Sequence, residues 1–152
     1  MIRRKKKSVT VIERYEIEAD DWEADYYFGL NPRSNIEHVY WEISNLIIIG
    51  RLISPVLNIV GKVRVLINAD PEVDDHWKPN PTITGAKAIG RMAILRDNTM
   101  EFYCSVPTYS LPYLAQAAHA NKIRYISITG TKLRYKEGAI SHISLSSQKE
   151  DE

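Results

Sequence analysis

The residues best suited to chemistry lie in the run Asp70-Pro71-Glu72-Val73-Asp74-Asp75-His76-Trp77, where carboxylates crowd beside an imidazole. Carboxylate oxygens suit a hard cation, and a carboxylate beside a histidine can exchange protons with a substrate near neutral pH. Asp70, Asp74, Asp75 and His76 are therefore the weak candidates for acid, base or cation-holding groups, and Trp77 is a candidate contact residue. The spacing fits neither a calcium-binding helix-loop-helix nor a zinc-binding helix motif. A solvated acidic loop with Trp77 tucked onto the domain accounts for the same residues, and that reading is preferred.

A second group interleaves cations with aromatics: Lys122-Ile123-Arg124-Tyr125 and Lys132-Leu133-Arg134-Tyr135-Lys136. If the chain turns at Gly130, Tyr125 faces Tyr135 and Arg124 faces Lys136 on adjacent strands. Arg124, Tyr125, Arg134 and Tyr135 then form a candidate surface for stacking bases and neutralising phosphates of a single-stranded nucleic acid. A strand pair with a charged outer face and tyrosines packed at its rim accounts for the same residues and is the preferred reading, given the acidic balance of the rest of the chain; cations on a sheet edge also deter edge-to-edge aggregation. The run Arg3-Arg4-Lys5-Lys6-Lys7 adds five positive charges at the start of the chain.

The remaining reactive residue types are dispersed. Cys104 shares an alternating face with Phe102 and Val106, which marks a buried small hydrophobe rather than a thiolate nucleophile. One cysteine excludes an intramolecular disulfide and a cysteine-based metal cluster, and fits a reducing, cytoplasmic setting. His38, His76, His119 and His142 fall on four separate segments, so no metal site or cofactor is expected from their spacing. No Gly-x-Ser-x-Gly elbow, Walker A loop or dinucleotide-binding glycine fingerprint occurs.

The elements that must carry these residues are mostly strands. Val9, Val11, Tyr15 and Ile17 alternate with polar residues, as in a half-buried strand, and the acidic stretch Asp20 to Asp25 is expected to interrupt it. Tyr26 to Phe28 reads as a short strand, and residues 29–35 as a loop. Further strands are expected over residues 38–52, with a bulge at Asn45 or Gly50, and over 62–68. Three prolines make 70–85 the longest loop. Residues 86–96 and 100–106 flank Asp97-Asn98-Thr99 as a hairpin. Only 110–121 reads as helix, with Ser110 as cap, Pro112 in the first turn and a stripe of Leu111, Leu114, Ala115 and Ala118. Strand character returns over 123–129, 132–135 and 139–146.

A chain of 152 residues suits one core. The expected fold is mainly β: a β-sandwich or partly open β-barrel of about seven to eight strands with one short helix, spanning residues 8–147 between a flexible basic tail (1–7) and a flexible end (148–152). The longest apolar run, Leu46 to Ile49, is far too short to cross a membrane, and no membrane partner is expected. Outside the basic tail, 15 Lys and Arg stand against 19 Asp and Glu, and residues 8–25 hold seven acids with Arg14 as the only cation. Two oppositely charged regions without a catalytic signature point to a non-catalytic binding protein, with a protein partner or a second copy as the expected contact. A small-molecule enzyme or metal site in the Asp70–His76 loop, and single-stranded nucleic-acid binding through 122–136, are the alternatives. Exposed Trp41, Trp77, Tyr26, Tyr27, Tyr125 or Tyr135 would serve as anchors.

Overall fold

The computed structural model describes residues 11–30, 40–71, 73 and 88–149, the side chains of Tyr40 and Trp41 excepted. Seven strands, β1 (Ile12–Leu30), β2 (Tyr40–Ser54), β3 (Lys62–Ala69), β4 (Gly90–Ile94), β5 (Thr99–Val106), β6 (Tyr125–Thr131) and β7 (Glu137–Ser146), close on themselves in the order β1-β2-β3-β5-β4-β7-β6. The expected mainly β fold is present, and closure decides for a barrel over a sandwich. All neighbours run antiparallel except β3 and β5. The helix α1 (Ser110–His119) packs against β1, β2 and β3, and Pro71 and Val73, within the expected loop 70–85, are also helical.

Period-two alternation fills the interior. Val63, Val65 and Ile67 of β3 and Met100, Phe102, Cys104 and Val106 of β5 all point inward and are buried, as their spacing predicts. Tyr15 of β1 meets Phe102 edge-on, with ring centroids 5.6 Å apart. Helix α1 buries Leu111 and Ala118 over this core. Ser110 does not cap the helix: Tyr109 holds that position without a side-chain hydrogen bond, and the Ser110 amide donates to the Pro107 carbonyl at 3.0 Å.

Four expectations about the strands are corrected. The acidic stretch does not interrupt β1, which runs unbroken for 19 residues. Its pairing with β2 steps from Ala19↔Gly50 to Asp21↔Ile49, leaving Asp20 as the extra residue of a bulge. The bulge exchanges the two faces of the strand. Tyr15, Ile17 and Ala19 point inward before it, and Trp22, Ala24 and Tyr26 continue that face after it, so the acids at 21, 23 and 25 fall outward. Gly50 lies opposite the bulge, where a Cβ would come within 2.2 Å of the Glu18 carbonyl oxygen. The irregularity expected at Asn45 or Gly50 is therefore on the neighbouring strand, and the extra residue that β2 does carry is Ile53, between Glu16↔Ser54 and Ile17↔Leu52.

Gly130 likewise marks no turn. It pairs with Ile140 inside the β6–β7 ladder, and a Cβ there would lie 2.3 Å from the Ala139 carbonyl oxygen. Glycine is needed for close strand approach. The reversal comes five residues later, at Tyr135-Lys136. The strand expected over 132–135 is accordingly absent: Lys132 and Leu133 lie outside any ladder, Arg134 makes a single bridge to Glu137, and Tyr135 already belongs to the turn.

Candidate functional site

The closed barrel has two unlike ends, and the candidate residues divide between them. At one end β1 and β2 outrun the barrel. Strand β6 pairs with β1 only as far as Glu18, and β3 pairs with β2 only from Asn45 onward, yet β1 and β2 stay paired from Tyr26↔Ser44 to Leu30↔Tyr40. This pair of strands projects as a ribbon. The face that fills the core at Leu46 and Ile48 continues outward through Tyr26, Phe28 and Leu30, past the last described pairings of β3 and β6. Tyr26 is 64% exposed and Phe28 62%, and Tyr27 and Ile43 are exposed together on the opposite face.

The ribbon and α1 enclose a cleft of about 340 Å3 lined by Tyr26, Glu42, Asn45, Leu111, Pro112 and Ala115. The Tyr26 hydroxyl donates to Glu42 Oε2 at 3.3 Å, and the Asn68 amide donates to Asn45 Oδ1 at 3.2 Å. Desolvation and then the neighbouring Glu42 carboxylate raise the Tyr26 phenol above its ordinary range. Asp21, Glu23 and Asp25 give the ribbon its acidic charge, while Arg51 pairs with Glu18 and Asp20 below it, at 3.2 and 3.5 Å.

Of the expected acid-base group, only Asp70 is described: it follows β3, and its amide donates to the Val106 carbonyl at 3.0 Å. Asp74, Asp75, His76 and Trp77 lie outside the described residues. Among the described residues no three His, Cys, Asp or Glu side chains converge to hold a metal ion. His119 stacks edge-on with Trp22 at 5.7 Å, and His142 sits on β7 opposite Thr129. Burial pushes the Cys104 thiol up to about 12, which makes it an inert core residue.

The four residues of the expected nucleic-acid surface are not brought together. Because the turn comes after Thr131, Tyr125 pairs with Ser146 at the ribbon end of β6, and Tyr135 lies beyond its other end. A strand of seven residues separates them, about 20 Å at ~3.3 Å per residue. Arg124 lines a smaller cleft of about 180 Å3 beside Asp20, Asp21 and Trp22. Arg134 stacks its guanidinium over the Tyr135 ring at 5.4 Å, and Tyr135 is 87% exposed.

This second end is a closed rim. The Gly61 amide donates to Asn98, the Ile94 amide to Lys136 and the Lys132 amide to Val11, at 3.1, 2.9 and 2.8 Å. Those bonds tie the β2–β3 loop, the β4–β5 turn, the β6–β7 turn and the start of β1 into one surface. Phe28, Leu30, Ile43, Lys62 and Arg96 escaped the sequence reading. The Trp22, Ala24, Tyr26, Phe28, Leu30 alternation was legible as a strand face, whereas the rim depends on loops far apart in sequence. Among known protein families, characterised proteins and solved structures, none matches this chain.

Proposed function

We propose that the protein is a non-catalytic interaction protein whose β1–β2 ribbon is its contact surface, and that the ribbon's occupant is a second copy of the chain. The observation that carries this reading is the inward face of a barrel continuing for three residues of β1, Tyr26, Phe28 and Leu30, beyond the barrel's mouth. A two-stranded ribbon is marginal in water when, among the described residues, neither β3 nor β6 pairs beside it, so burial of these exposed rings against a partner stabilises it.

Charge placement along β1 favours a second copy. Beyond Ala19 no strand pairs with the side of β1 facing away from β2, among the described residues. Two copies of β1 meeting antiparallel about Tyr26 bring Trp22 to Leu30, Ala24 to Phe28, Glu23 to Gly29 and Asp25 to Tyr27. No acid then faces an acid. Registers centred on Ala24 or Asp25 oppose acid to acid, and like charges directly opposite are unfavourable. A two-fold contact of this kind is self-complementary and closed, the commonest arrangement of soluble homo-oligomers.

Sedimentation velocity of the full chain over a range of concentrations tests the reading. The expected result is a concentration-dependent dimer that Tyr26→Ser/Tyr27→Ser converts to a monomer, with a thermal midpoint that no longer rises with protein concentration as the wild type's does. A wild-type chain that stays monomeric at every concentration, or a double variant that still dimerises, would overturn it.

A further inference from the structure

The rim at the other end of the barrel carries a second surface. Lys62, Arg96, Lys132, Arg134 and Lys136 are all exposed on segments joined by the three backbone hydrogen bonds above, and none enters a salt bridge among the described residues. Asp97 and Glu137 lie on the same turns. The Asp97 carboxylate is engaged by the Thr99 amide at 3.0 Å, a bond that, with Lys62 adding to it, holds its pKa below the usual range.

Within this basic rim the β6–β7 turn has an unusual composition. Arg134 and Glu137 exchange backbone hydrogen bonds at 2.8 and 3.1 Å, and the two residues between them, Tyr135 and Lys136, have φ of 53° and 64°. This is a two-residue hairpin with both central residues left-handed, a place where Asn-Gly is favoured and each bulky side chain is strained. Tyrosine and lysine oppose the fold here. What they supply instead is an 87% exposed ring flanked by Arg134 on one side and Lys136 on the other. Strain kept at an exposed position points to function rather than stability.

We infer that the rim binds single-stranded nucleic acid, with Tyr135 as the stacking platform for a base and Lys62, Arg96, Lys132, Arg134 and Lys136 as the phosphate-neutralising groups. An exposed ring receives any base because every base has a π-face, and cations on neighbouring loops follow the backbone. The ribbon at the opposite end remains available, so this inference does not rest on self-association.

The test uses the full chain, fluorescence anisotropy with a labelled oligothymidylate, and the double substitution Tyr135→Asn/Lys136→Gly. That variant supplies the residues the turn prefers, so its thermal midpoint is expected to rise by roughly 2–4 °C. Its affinity is expected to fall by at least about five- to a hundredfold, since the variant loses one stacking contact of ~1–3 kcal/mol together with the phosphate contact of Lys136. Affinity of the wild type should fall as salt rises. Binding unchanged in the stabilised variant would overturn the proposal, as would no wild-type binding at low salt. Equally tight wild-type binding to inorganic polyphosphate, or to vesicles of anionic lipid, would replace nucleic acid by a generic polyanion or a membrane and overturn it too.

Discussion

The ribbon and the rim are built from the same strands and differ in what happens where the barrel stops. At the rim the segments reverse quickly, and backbone hydrogen bonds between loops hold them together, so exposed apolar residues such as Val11, Val56 and Leu95 stand on separate segments among charged ones instead of continuing one strand face. At the ribbon end β1 and β2 run on without β3 or β6, and the alternation that packs Leu46 and Ile48 inside leaves Tyr26 and Leu30 in solvent. One sequence pattern thus produces a core or an interaction surface according to whether neighbouring strands are still present. The ends also differ in sign, since Asp21, Glu23 and Asp25 mark the ribbon and the lysines and arginines mark the rim.

The largest effect comes from removing what the two ends share. Phe102 is fully buried against Tyr15, and Phe102→Ala is expected to lower stability by about 3–5 kcal/mol in a denaturant titration. Self-association and oligonucleotide binding should fail together there, whereas surface substitutions at either end separate them. A Phe102→Ala chain that kept either property at full strength near its unfolding midpoint would show that end to be independent of the barrel.

Alkaline titration acts on the same interior. The Cys104 thiol is held protonated by burial, with its pKa pushed up to about 12, above the ordinary thiol value near ~8.5. The folded state therefore binds this proton more tightly than the unfolded state. Stability is full below pH ~8.5 and declines as pH rises toward 12, by about 1.4 kcal/mol per unit for one proton. Urea unfolding at several alkaline pH values reads this slope, and Cys104→Ala should remove its part of it. Tyr15, also raised by burial, adds a decline at the upper end of the range.

Salt separates the ends by a smaller effect of opposite sign. Oligonucleotide affinity should drop about twentyfold between roughly 50 and 200 mM salt if about three phosphates are contacted. Ribbon pairing should strengthen modestly over the same interval, because Glu23 and Asp25 of two copies repel one another until screened. Parallel salt titrations by anisotropy and sedimentation check both, and equal signs would break the contrast.

Much of the barrel was legible because inward residues on β3 and β5 alternate without interruption, and Asp97-Asn98 announces its turn, with Asn98 at a φ of 64°. What misled were single residues whose role is set by a neighbour. Asp20 exchanges the faces of β1, so the acids that looked like a break sit on a continuous strand, and Gly130 serves close packing rather than a turn. The true turn, Tyr135-Lys136, lacks turn chemistry altogether, so its position was illegible. Displacing it carried Tyr125 and Tyr135 to opposite ends and dissolved the expected four-residue surface. The ribbon's tyrosines were named from sequence as anchors, but their exposure depends on where β3 and β6 end.

Hydrogen–deuterium exchange of the full chain at dilute and at high protein concentration addresses the ribbon most directly. Pairing of β1 with its counterpart predicts that amides between Glu23 and Tyr27 gain protection as concentration rises while those of the Arg134–Glu137 turn stay unchanged. Exchange at Glu23–Tyr27 that is independent of concentration, or protection gained at the rim instead, would contradict it.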